Sequence, residues 1–134
     1  MSKSVAETAA LSMNKNVDLT DDGTSYMSVG SYGKVIVGDT AFEYFNHQKV
    51  ADYIQIPWSD VDYVTVEVLS GGKRIPRFAL HTKTGIDYTF SAKHPHQVLR
   101  AVRKYVAPER MVKTVSSAEK LRNWFHGLFH FDRD

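Results

Sequence analysis

The sequence has no cysteine, which rules out both a disulfide framework and thiolate chemistry. A reducing compartment suits such a chain. It also lacks any apolar run near the roughly 18 residues that a spanning helix needs, and its first residues show no hydrophobic core of a signal peptide. A cytoplasmic protein is therefore expected. Proline is scarce, four in 134 residues. Pro57, Pro95 and Pro108 stand where a strand or helix should stop or start. No G-x-S-x-G, no H-E-x-x-H and no complete G-x-x-x-x-G-K-[ST] occurs. The expectation is a protein that is not an enzyme and that holds no metal or cofactor.

Charge of one sign is scarce in each half. Residues 1–60 carry four lysines and eight acids, whereas residues 61–134 carry thirteen Lys and Arg against seven acids. A basic rear half favours an anionic partner such as a lipid surface, a nucleic acid or an acidic protein face.

What is present reads as short strands followed by one helix. Residues 1–22, rich in Ser, Ala, Asn and Asp, read as a flexible N-terminal arm, with Val17 and Leu19 able to lie on the domain. Asp21-Asp22-Gly23-Thr24 reads as a turn and Ser25 to Val29 as a first strand. Gly30-Ser31-Tyr32-Gly33 looks like a glycine-flanked connection. Lys34 to Val37 and Ala41 to Phe45 form an expected hairpin, and Tyr53 to Ile56 a strand that Pro57 ends or places at an edge.

Alternation is cleanest from Tyr63 to Leu69, with Val64, Val66 and Val68 on one face and Thr65 and Glu67 on the other. Gly71-Gly72 turns the chain into Arg77 to Thr82, whose buried face is Phe78 and Leu80. Thr84-Gly85 turns it again into Asp87 to Ser91, with Tyr88 and Phe90 inward. Pro95 to Val106 then reads as a helix, with Val98, Leu99, Val102, Tyr105 and Val106 in one apolar stripe. Its opposite face carries Arg100, Arg103 and Lys104. Arg100 and Lys104 are like charges at i,i+4, a cost of a few tenths of a kcal/mol that a nearby anion would relieve.

The domain is expected over residues 23–113. Residues 114–134 read as a C-terminal amphipathic helix and tail, in which Trp124, Phe125, Phe129 and Phe131 supply an aromatic surface. The fold class expected is mainly β with a C-terminal helix, a barrel of about seven antiparallel strands capped by the helix.

Several patterns weigh differently once their context is read. Gly30 to Lys34 has the form G-x-x-G-K and Gly71-Gly72-Lys73 resembles part of a phosphate loop, but neither opens a helix, so turn chemistry accounts for both. His94 and His96 flank Pro95, and His126 and His130 stand at i,i+4. Without a third ligand they read as surface histidines. Lys73, Arg74, Arg77, Lys93, Arg100, Arg103, Lys104, Arg110 and Lys113 form one basic patch if the Gly71 turn lies near the helix. The residues chosen for partner binding are Lys73, Arg74, Arg77, Arg100, Arg103 and Lys104 for charge, and Trp124, Phe125 and Phe129 for apolar docking.

Asp52-Tyr53-Ile54-Gln55-Ile56-Pro57-Trp58, Gly71-Gly72-Lys73, Ile75-Pro76-Arg77-Phe78 and the run Val98 to Val106 together carry a resemblance. The chain resembles the ManO-type domain-of-unknown-function family, encoded beside the mannose-family phosphotransferase permease in Gram-positive bacteria. The likeness runs from about Asn14 to about Val112. It implies a pleckstrin-homology-like fold, two orthogonal antiparallel sheets closed by a C-terminal helix. It also implies a regulatory role at the membrane subunits of that permease, peripheral to the inner face of the membrane, but no catalytic or ligand residue to carry over. Two other readings use the same residues: a nucleic-acid-binding regulator of the sugar operon, and a phosphoacceptor at His94 or His96.

Overall fold

The computed structural model describes residues 11–27, 31–49 and 51–115. Within them the chain forms eight strands and one α-helix. The strands are β1 (Val17–Ser25), β2 (Ser31–Gly38), β3 (Ala41–Asn46), β4 (Tyr53–Pro57), β5 (Val61–Val68), β6 (Phe78–Thr82), β7 (Asp87–Ala92) and β8 (Met111–Val115). The helix α1 (Pro95–Val102) lies between β7 and β8. All eight strands belong to one mixed sheet in the order β4-β3-β2-β1-β7-β6-β5-β8. It is barrel-like, a single curled sheet around one core.

Two antiparallel meanders, β1 to β4 and β5 to β7, are joined where Gly23 to Ser25 of β1 pair with Phe90 to Ala92 of β7. Hairpins dominate because each turn carries the residues that permit it. Gly85, with φ of 92°, closes β6 onto β7. Ser70, Gly71 and Gly72 all have positive φ in the β5–β6 connection, so the two glycines take conformations that cost other residues energy.

Alternation along the strands places Val35, Val37, Phe42, Tyr44, Ile56, Val64, Val66, Phe78, Leu80 and Phe90 inside. Phe42, Phe78 and Phe90 meet at ring centroids of 4.9 to 6.1 Å. Each such side chain contributes about 1.5–3 kcal/mol when fully buried. Helix α1 seals the core with Val98, Leu99 and Val102, packing against β1, β2 and β7.

Several expectations need correction. Asp21-Asp22-Gly23-Thr24 is the middle of β1, not a turn, and the first strand is Val17–Ser25 instead of Ser25 to Val29. The last six residues of the expected arm, Val17 to Asp22, are therefore part of the sheet. Turn-forming composition is overridden because Gly23 pairs with Gly33 across β1 and β2, a spot without side chains on either strand. A Cβ on Gly33 would stand 2.3 Å from the Phe45 carbonyl oxygen and 2.6 Å from the Tyr44 ring. Gly33 thus serves close packing inside β2, not the connection expected from Gly30 to Gly33.

The helix is shorter than its apolar stripe. It ends at Val102, and Tyr105 and Val106 follow in turns that still direct Val106 inward. The chain then forms β8, a strand not anticipated, which runs parallel to β5 with Val66 opposite Lys113. An all-antiparallel count of about seven becomes eight with one parallel pair. The expected C-terminal helix falls outside the described residues beyond Val115.

Candidate functional site

Helical spacing gives α1 two stripes. Val98, Leu99 and Val102 face the core, while His96, Leu99, Arg100 and Arg103 fall on a neighbouring stripe. On strands β5 and β8 the residues on the groove side are Val66, Val68, Met111 and the exposed Lys113, brought into line by the parallel register. Between these rows runs a groove of about 440 Å³. Val66, Val68, Ile75, Leu99 and Met111 make its apolar floor; His96, Arg100, Arg103 and Lys113 make a cationic rim, and among the described residues no acidic side chain lines it. The His96 ring donates from Nε2 to the Gly72 carbonyl at 3.0 Å, so the β5–β6 turn is tied to the helix at one end of the groove.

The basic residues singled out from sequence are thus sorted. Arg100 and Arg103 are brought together at the groove, exposed, and among the described residues neither enters an ion pair. Lys113 joins them. Lys73 and Arg74 are exposed on the turn that carries Gly72, beside the groove. Arg77 lies elsewhere. Its guanidinium donates to both Glu67 carboxylate oxygens, at 3.2 and 3.0 Å, and sits 5.9 Å from the Tyr26 ring.

Lys104 follows the helix and donates to Asp18 at 2.9 Å. The anion expected to relieve the Arg100–Lys104 repulsion is therefore supplied by the protein itself. Arg110 donates to the Val61 carbonyl at 2.8 Å, and Lys93 lines a separate cleft with Asp22, Tyr32 and His47. Trp124, Phe125 and Phe129, chosen for apolar docking, lie outside the described residues, as do His126 and His130.

Two polar constellations escaped sequence reasoning. Thr65 Oγ1 is 2.8 Å from His81 Nε2, and His81 Nδ1 is 2.8 Å from Asp87 Oδ1. The Tyr63 ring stacks on the imidazole at 4.3 Å. Hydroxyl, imidazole and carboxylate stand in the order that activates a nucleophile. Their setting is the face of the sheet where β5 is flanked by β6 and β8, and Thr65 also lines a cleft of about 290 Å³ with Glu67, Arg77 and Thr114. Cross-strand register could have revealed this cluster, since Tyr63 faces His81 and His81 faces Asp87.

The second constellation is centred on Glu43, whose side chain is fully buried in β3. Ser12 Oγ and Asn14 Nδ2 donate to one carboxylate oxygen at 2.6 and 2.8 Å; the Met13 N–H and Gln55 Nε2 donate to the other at 2.7 and 2.8 Å. Four donors thus satisfy the buried carboxyl group. Asn14 also accepts from the Thr40 and Ala41 N–H groups at 2.8 Å, fastening the segment before β1 across the β2–β3 turn. An acid amid the apolar run Ala41 to Phe45 was the one available signal.

Among the described residues, no group of three His, Cys, Asp or Glu side chains is placed to hold a metal ion. No helix there is long and apolar enough to cross a membrane.

Comparison with solved structures finds the same fold in the crystal structure of the C-terminal domain of an unknown protein from Leishmania infantum. That likeness has a TM-score of 0.59 at 10% identity and covers 77% of this chain and 91% of the other. No curated protein matches the chain. A family described as a domain of unknown function (DUF956) matches residues 9–125, a span that takes in all eight strands, the helix and the groove between them, and the chain belongs to that family.

Proposed function

We propose that the protein is a non-enzymatic accessory module that docks on the membrane subunits of the mannose-family sugar phosphotransferase permease and modulates it. The observation that carries this reading is the groove beside α1, where Arg100 and Arg103 flank an apolar floor without acidic partners among the described residues. Exposed cations over an apolar slot fit an anionic, partly apolar partner. The choice of permease comes from the family resemblance. The pleckstrin-homology-like identity belongs to this proposal too: a four-strand meander, a three-strand meander and a helix after the seventh strand are the order that superfold uses. On this reading the protein works in the cytoplasm, at the inner face of the membrane.

The test is a pull-down from gently solubilised host membranes with the full chain and with the double variant Arg100→Glu/Arg103→Glu. The full chain should recover permease subunits and the double variant should lose most of them. Unchanged recovery by the double variant would remove the groove from the proposal. Retention of duplex DNA in place of membrane protein, falling steeply with salt, would reassign the chain to operon regulation.

A further inference from the structure

The two edges of the sheet are not equivalent. Strand β4 ends in Pro57, and its Gln55 side chain donates to the Leu11 carbonyl at 2.6 Å, so that edge is overlaid by the chain's own N-terminal segment. Strand β8 has no segment overlying it in this way among the described residues. Among the described residues it pairs only with β5, and Met111 to Val115 contain no proline. Alternate main-chain N–H and C=O groups along its outer side are therefore without a ladder partner there.

The free edge borders the cationic groove. Met111 and Lys113 of β8 line the groove on one side and Arg100 and Arg103 of α1 on the other. A further strand would lie about 4.8 Å beyond β8, over the gap that separates it from the helix. Every second side chain of such a strand would point into the groove. Apolar ones would meet Leu99, Met111 and Val66; carboxylates would meet Arg100, Arg103 and Lys113. Because the lining holds four basic side chains and, among the described residues, no acid, an acidic segment is favoured over a neutral or basic one.

Resting on the docking reading above, we infer that the partner binds as an extended acidic peptide segment that adds a ninth strand to the free edge of β8, with alternate acidic and aliphatic side chains in the groove. Main-chain bonds to β8 supply affinity, and the cationic rim selects the charge pattern. A slot between a strand edge and a helix suits a peptide better than a flat lipid surface.

Amide hydrogen exchange on the full chain tests this in two settings. The first probe is a ten-residue peptide alternating Glu with Val, compared with the same peptide carrying Lys for Glu and with vesicles containing anionic lipid. Strand addition predicts that the acidic peptide slows exchange of amides within Val112–Val115 by about tenfold or more, that the Lys peptide does not, and that Arg100→Glu/Arg103→Glu abolishes the effect. Equal protection by both peptides, or protection by vesicles alone, would overturn the inference. The second probe is the solubilised permease. Capture of the permease with β8 amides unprotected would sink strand addition and leave the docking reading intact. Peptide-dependent protection of β8 without permease capture would do the reverse.

Discussion

Asp21 and His94 lie 73 residues apart in the chain and are joined twice: the Asp21 carboxylate accepts the His94 main-chain N–H at 2.6 Å and its ring Nδ1–H at 3.0 Å. A nearly buried acid in β1 thereby receives the first residue before the helix, where N–H groups have no intrahelical partner. This clasp ties the start of α1, the helix that carries Arg100, to β1.

Replacing Asp21 by Ala should cost about 1–3 kcal/mol, because a polar N–H is left unpaired in a nearly closed site. Asp21→Asn should recover part of that loss, since the amide oxygen still accepts one bond. Thermal melts followed by circular dichroism measure both. Equal melting temperatures for wild type and Asp21→Ala would show that the clasp does not hold the helix.

Glu43→Gln should destabilise by about 2–4 kcal/mol, because the new amide group meets donors where the carboxylate met them. The N-terminal segment should loosen first. Limited proteolysis after Lys15 is expected to quicken well before the domain melts. Cleavage at the wild-type rate would mean that the segment is held by Asp39, which accepts from the Lys15 and Asn16 N–H groups, and not by Glu43.

The two kinds of glycine should respond differently to alanine. Gly33→Ala places a methyl group against a backbone carbonyl and should cost about 2–4 kcal/mol, since neither β2 nor β3 can move without disturbing the core. Gly71→Ala meets nothing within 4 Å, and its φ of 66° limits the loss to about 1 kcal/mol. Chemical denaturation of the two variants provides the comparison. A larger effect at Gly71 would contradict it.

Tyr105 gives a pH signature. Its hydroxyl donates to Asp18, and chiefly through that bond the phenol is pushed up to about 12 from 10.0. Asp18 is held below its ordinary 3.8 by the bonds from Tyr105 and Lys104. A raised phenol pKa stabilises the fold fully below pH 10.0, and that contribution fades as pH climbs through about 12. A lowered carboxylate pKa acts in the opposite sense: its contribution is complete above 3.8 and fades as pH falls through the folded value. In an absorbance titration Tyr105 should add a late step to that of Tyr44, whose burial also raises its phenol, and the Tyr105 part should be lost in Tyr105→Phe and move back toward 10.0 in Asp18→Ala. An unchanged late step in Tyr105→Phe would assign it to another tyrosine.

Much of this architecture is legible from residues. Val64, Val66 and Val68 announce β5, Phe78 with Leu80 announce β6, and Pro95 with Val98, Leu99 and Val102 announce the helix, because period and punctuation agree there. Legibility fails where tertiary packing overrides local preference. Gly23 and Gly33 look like turn residues and are strand residues, since their lack of side chains lets β7 approach β1 at Gly23 and β3 approach β2 at Gly33. Met111 to Val115 is no shorter than β4 or β6, but its partner β5 lies across the helix in sequence, so that only the folded chain brings the two together. At the site, Arg100 and Arg103 could be named from helical spacing. The removal of Arg77 and Lys104 could not, because Glu67 and Asp18 reach them only after folding.

The parallel pairing of β8 with β5 also bears on how the chain is made. Hairpins β2–β3, β3–β4 and β6–β7 need only neighbouring residues and can form while the chain is still emerging from the ribosome. Strand β5 cannot be covered on its outer side until the helix and Met111 to Val115 have been synthesised. Through that interval a valine-rich strand is open to whatever strand it meets first. Replacements that weaken β8 should therefore appear as insoluble protein during expression before they appear as a lower melting temperature in what remains soluble.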